Sequence, residues 1–175
     1  MESNNTNDSV SESISVGVPQ EKAFYAFAQQ MTSWWPRRYT WSGDNLNHIV
    51  LDPEQGAAWY EVSESGERQS EWGKLLTWEP PHRLVLSWMV GAKRVPETDP
   101  SHASEVEVTF TAEGEHSTRV EVNHRGFASH GEAWEAYRDG MQSPEGWQTI
   151  LSAYADYLQQ QERQYEDMEQ HRLAS

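Results

Sequence analysis

Apolar and polar residues alternate along residues 13–18 (SISVGV), the period-two pattern of a half-buried strand. Pro19 then presets the backbone for the first turn of a helix, on which Ala23, Phe24, Phe27 and Ala28 form one apolar stripe. This helix is predicted to end near Trp34-Trp35-Pro36, because a residue preceding proline is pushed out of the helical region. Strand patterns follow over residues 48–51, 57–63, 69–78, 83–90, 104–112 and 118–124. Turn chemistry separates them at Asp52-Pro53, Ser65-Gly66, Pro80-Pro81 and Glu113-Gly114. In the last two segments Val106, Val108, Phe110, Val120 and Val122 share one face, while Glu105, Glu107 and Thr109 take the other. That pattern predicts a hairpin with one wet face.

The dry face of such a sheet needs a cover. Near the C-terminus Trp147, Ile150, Leu151, Tyr154 and Leu158 recur at three- and four-residue spacing behind a Ser143-Pro144 start signal, which predicts a long helix. Residues 131–141 (GEAWEAYRDGM) predict another short helix or an ordered lid before it. The order is strand, short helices, a run of antiparallel strands, then one long helix, which is α+β with the sheet wrapped around the final helix. A chain of 175 residues suits one domain. Its expected bounds are 13–160, with a disordered tail at 1–12 and a polar helix extension or disordered tail at 161–175.

The chain is polar, with a mean hydropathy of −0.86, yet it carries 9 Trp, 7 Tyr and 4 Phe. Its apolar volume is thus concentrated in large side chains that bury about 150–250 Å² each. With 28 acidic against 13 basic residues the net charge is −15, and Arg37-Arg38 and Lys93-Arg94 are isolated pairs rather than a stripe. Direct binding of nucleic acid is therefore not expected. The absence of cysteine removes disulfides, thiolate zinc sites and a Cys nucleophile. No apolar run approaches the roughly 20 residues of a membrane span, and the first residues lack the pattern of a secretory signal, so a cytoplasmic location and no membrane contact are expected. The seven histidines show no metal-ligand spacing, and no phosphate-binding glycine motif or hydrolase elbow is present. Neither a metal nor a cofactor is expected.

Several stretches carry a family resemblance: Trp34-Trp35-Pro36, Ala58-Trp59-Tyr60-Glu61, the run from Glu79-Pro80-Pro81 to Ser87-Trp88, and Gly146-Trp147-Gln148-Thr149-Ile150-Leu151. Together they look like the activator-of-Hsp90-ATPase-like branch of the START and Bet v 1-like superfamily. That resemblance implies a helix-grip fold, a curved antiparallel sheet around the long C-terminal helix, with a cavity between them. Within the branch, Trp34 through Tyr39, Gly56 through Glu61, Asp99-Pro100, Val108 through Gly114 and Gly140-Met141 resemble the self-sacrifice resistance proteins of enediyne producers. In that family an activated drug abstracts hydrogen from a glycine and the backbone is cleaved. The matching position here is Gly114. Ala57, where the family often has a second glycine, and the insertion-like Gln142-Ser143-Pro144-Glu145 depart from the pattern.

Trp35, Tyr39, Trp59, Trp72, Trp88, Phe110, Trp147, Ile150 and Tyr154 are the candidate ligand-binding residues, with Trp147, Ile150 and Tyr154 as the floor. Ordinary core packing is the competing reading for each of them. Gly114 also has a plain reading as a hairpin glycine at positive φ. Glu61 and Glu71 lie on strands, and solvation is the default for both, although a cavity carboxylate can serve as a general base. The favoured function is non-catalytic binding of a hydrophobic small molecule, an enediyne or other polyketide, by sequestration or sacrificial cleavage. A co-chaperone-like interaction protein and a cavity-carboxylate cyclase or hydrolase are the alternatives. Ligand identity and oligomeric state stay open.

Overall fold

The computed structural model describes residues 8–174. Seven strands form one antiparallel sheet in the order β1-β7-β6-β5-β4-β3-β2. They are β1 (Ser9–Val16), β2 (Leu46–Leu51), β3 (Ala58–Ser63), β4 (Arg68–Glu79), β5 (Arg83–Trp88), β6 (Ser104–Gly114) and β7 (Ser117–Arg125). The helices are α1 (Gln20–Gln29), α2 (Met31–Trp34), α3 (Trp134–Gln142) and α4 (Trp147–Ala174). The sheet curls as a half-barrel around α4, so the helix-grip arrangement expected from the sequence is the fold of the chain.

Period-two alternation decides which face of the sheet is dry. Val106, Val108 and Phe110 on β6 pair with His124, Val122 and Val120 on β7, and all six are buried. On the outer face Arg83 pairs with Glu107, and Arg125 reaches both Glu107 at 2.7 Å and Glu105 at 3.2 Å. The Arg83 guanidinium first, and then Arg125, hold the Glu107 carboxyl below its usual range. Such surface pairs contribute only about 0–1 kcal/mol each, so the buried face carries the stability.

Helix α4 lays Trp147, Ile150, Leu151, Tyr154 and Leu158 against that face. The Tyr154 hydroxyl donates to the Ala23 carbonyl at 2.6 Å, which ties α4 to α1, and burial pushes the phenol pKa up. Phe24 and Phe27 of α1 meet Phe110 at 5.1 and 5.8 Å between ring centres. Past Leu158 the helix runs on to Ala174 with Tyr165, Met168 and Leu173 exposed, so residues 161–174 are helical extension rather than disordered tail.

Several boundaries differ from the sequence pattern. Strand β1 begins at Ser9, so residues 9–12 belong to the sheet rather than to a disordered tail: Ser9 to Glu12 pair with Arg125 to Val122. Residues 1–7 of that expected tail lie outside the described residues. Pro19 caps α1 instead of occupying its first turn. The Ser143-Pro144 signal starts no helix: the Ser143 hydroxyl donates to Gly140 O at 2.6 Å and accepts from Glu145 N at 3.2 Å, closing a turn, and α4 starts at Trp147.

Candidate ligand cavity

Between α3, the first turn of α4 and the β3–β5 side of the sheet lies a cavity of about 380 Å³, within the roughly 300–1,000 Å³ usual for small-molecule sites. Its walls are largely aromatic, formed by Trp35, Tyr39, Trp41, Trp72, Trp88 and Tyr137, with Met141 and Ile150 among the other apolar lining residues. The rings also pack on one another. Trp35 stands 5.1 Å from Trp72, 6.4 Å from Trp88 and 6.2 Å from Trp147, so its ring links the cavity wall to the core.

Five of the nine candidate residues line this space: Trp35, Tyr39, Trp72, Trp88 and Ile150. The other four, Trp59, Phe110, Trp147 and Tyr154, lie in the core behind it, at 0–2 % exposure. Ile150 is therefore the one member of the expected floor that faces the cavity. Trp41, Tyr137 and Met141 were not among the candidates. Trp134, Tyr137 and Met141 do carry a three- and four-residue spacing that marks one face of α3, but Trp41 sits in an irregular segment with no such signal.

Glu61 overturns its default of solvation. On β3 the inward positions are Trp59, Glu61 and Ser63, and Glu61 is 0 % exposed while lining the cavity. Its Oε1 accepts from Trp41 N at 3.0 Å and Trp72 Nε1 at 2.8 Å, and its Oε2 accepts from Ser42 N at 2.6 Å. Three N–H donors offset the cost of burying a carboxylate, which is prohibitive without them. Glu71 stays near solvent between Arg68 and Lys74.

The rim is held by polar contacts and by backbone strain. Trp88 Nε1 donates to the Tyr137 hydroxyl, which donates to Val90 O at 2.6 Å, and burial pushes the Tyr137 pKa up. The Tyr39 hydroxyl donates to Glu145 O, and Trp41 Nε1 donates to Arg94 O at 2.7 Å. Lys93 and Arg94 have φ of 62° and Ala133 has φ of 67°. These are the three non-glycine residues with positive φ among those described, and all three line the cavity. Strain of this kind, on the order of 1–3 kcal/mol per residue, persists where surrounding contacts enforce it and clusters at functional sites. Gly146 lets α3 and α4 meet, since a Cβ there would stand 2.0 Å from Met141 O.

Behind Trp88 runs a buried polar chain. Trp147 Nε1 can only donate, so His124 Nδ1 accepts at 3.0 Å and its neutral ring carries the proton on Nε2. That Nε2–H donates to Ser104 Oγ at 2.7 Å, and the Ser104 hydroxyl donates to His130 Nε2 at 2.7 Å. Burial drives the His124 pKa well below its ordinary value and brings that of His130 down to about 4, with Glu97 opposing the latter.

Gly114 lies elsewhere. It ends β6 opposite Ser117, is exposed and does not line the cavity. The expected positive φ is also absent, because Glu115 and His116 make the turn and a register shift between Ala112 and Gly114 absorbs the extra residue.

A family model described as activator of Hsp90 ATPase homolog 1-like protein matches residues 17–159. The chain belongs to this family. No curated protein matches the sequence. Among solved structures, this family member is similar to the self-sacrificing resistance protein CalC from Micromonospora echinospora, with 29 % identity, 87 % of this chain and 95 % of the other covered, and a TM-score of 0.63. It is also similar to an anthrahydroquino-γ-pyrone synthase, Txn09, at 28 % identity, 85 % and 96 % coverage and a TM-score of 0.61. CalU16 from Micromonospora echinospora, at 20 % identity, 86 % and 75 % coverage and a TM-score of 0.54, shares the fold.

Proposed function

We propose that the protein binds a hydrophobic small molecule in this cavity and serves resistance to an enediyne or another polyketide by sequestering it. The observation that carries this reading is an aromatic-walled cavity lined by one buried carboxylate, in a chain 29 % identical to a self-sacrificing resistance protein. Holding the molecule is favoured over scission at Gly114, since that glycine sits on an exposed hairpin tip outside the cavity lining. Titration of the purified protein with hydrophobic compounds, an intact enediyne among them, tests the reading through tryptophan fluorescence. Saturable quenching near 1:1, weakened in Trp41→Ala, is the expected outcome. An unchanged signal across the panel would remove the binding function, and a fragment ending at Gly114 after reductive activation would replace sequestration with cleavage.

Glu61 favours a second reading. A carboxylate held inside an aromatic cavity, in a chain 28 % identical to a synthase, suits a general base for a ring-closing reaction. Turnover of an added polyketide that disappears in Glu61→Gln would make the protein an enzyme.

A further inference from the structure

The polar groups of the cavity restrict which hydrophobic molecule fits, on the premise that the cavity is a ligand site. An ionised carboxylate offers about four lone-pair directions. On Glu61 three are filled by Trp41 N, Trp72 Nε1 and Ser42 N, two at Oε1 and one at Oε2. The remaining direction, at Oε2, takes a donor and nothing else. At the rim, Lys93 and Arg94 are exposed and both line the cavity. Arg94 is engaged: its Nη2 donates to Arg38 O and to Thr40 O, and its guanidinium lies 5.7 Å from the Tyr39 ring. Lys93 makes no ion pair or side-chain hydrogen bond among the described residues, yet the chain keeps it and Arg94 in consecutive left-handed conformations. An unneutralised cation on a cavity rim, in a chain of net charge −15, favours an electron-rich oxygen on the ligand. An amine would satisfy Glu61, but two cationic side chains at the rim oppose its entry. Trp35, Trp41, Trp72 and Trp88 line the same space, and so aromatic a lining favours a planar ring system.

We propose that the cavity takes a flat polycyclic phenol, with one hydroxyl donating to Glu61 at the buried end and a second, acidic oxygen against Lys93 at the rim. The test compares 2,6-dihydroxyanthraquinone, whose hydroxyls stand at opposite ends of the ring system, with its dimethyl ether, which keeps the rings and removes the donors and the acidity. A charge-assisted hydrogen bond separates the two by about tenfold or more in Kd on the wild-type chain. Lys93→Gln then weakens the dihydroxy probe about fivefold and leaves the ether unchanged. Glu61→Gln erases most of the preference for the hydroxyls. Because that variant can misfold, the Lys93 arm, at an exposed position, decides the matter by itself. Equal affinity for both probes overturns the phenol while leaving the cavity a binding site, and so does a Lys93→Gln loss shared by both probes. If neither probe binds, the phenol falls, and failure of the hydrophobic panel to quench would remove the cavity reading with it.

Discussion

The two halves of the sheet are built to different standards. From β5 through β6 and β7 to β1 the pairing runs in register, apart from one shift at the β6–β7 hairpin tip. From β2 to β5 every pairing is interrupted: between Leu46 and His48, on both sides of Tyr60, and between Leu75 and Thr77. Gly73 marks the same irregularity, since a Cβ there would stand 1.8 Å from Ser87 O. The regular half packs valines, leucines and Phe110 against α1 and α4. The irregular half holds Trp59, Trp72 and the buried carboxylate, and the strained rim lies on the connections that leave β5 and β7. Bulges re-aim side chains and open a surface, so the departure from regular pairing makes room for the cavity. Stability and binding therefore draw on different parts of one sheet.

A pair of truncations tests that division with the largest effect. Phe110→Ala, in the regular half, is expected to cost about 3–5 kcal/mol in denaturant unfolding while leaving the affinity of the folded protein for a cavity probe intact. Trp41→Ala, on the cavity wall and half-exposed, should cost about 1 kcal/mol or less yet weaken the probe strongly. If Phe110→Ala disturbs binding as much as Trp41→Ala does, the halves are one unit.

Acidification probes the regular half where it backs the cavity, at the chain in which Ser104 of β6 joins His124 of β7 to His130. Both imidazoles have folded pKa values below the unfolded value of about 6.5. Their stability is thus fully present above pH 6.5 and is lost as the unfolded chain takes up protons, down to about pH 4 for His130. Because His130 is partly exposed, the loss it causes is on the order of 1–2 kcal/mol. His130→Gln should flatten the slope of unfolding free energy between these pH values. An unchanged slope would detach His130 from the acid response.

The regular half was legible in the sequence because its rule is local. Val106, Val108, Phe110, Val120 and Val122 announce their face by alternation, and the α4 stripe announces itself by three- and four-residue spacing. The cavity was only half legible, because its other half rests on groups that follow no period. Trp41, Lys93 and Arg94 stand on irregular segments, and their positions depend on hydrogen bonds to residues far along the chain, such as Arg94 to Thr40. Glu61 shares the inward face of β3 with Trp59, but hydropathy alone assigns a glutamate to water. What brought it inside was three donors from Trp41, Ser42 and Trp72, none visible before folding. Trp59 and Trp147 went the other way: the residue type suited a wall, and packing placed both in the core.

The smallest effect bears on the rim. Ala133 holds φ at 67°, where an alanine Cβ is crowded and a glycine is not. Ala133→Gly relieves about 1 kcal/mol of strain and adds a comparable entropy cost from the unfolded chain, so the melting temperature should hardly move. What should change is the stiffness of the entry to α3, which begins at the next residue and carries Tyr137 and Met141 into the cavity wall. A looser α3 releases a bound probe faster without altering its contacts, so the dissociation rate should rise by a few-fold while the association rate holds. An unaltered dissociation rate would mean that the Tyr137 hydrogen bonds to Trp88 and Val90 fix the rim without help from the strained backbone.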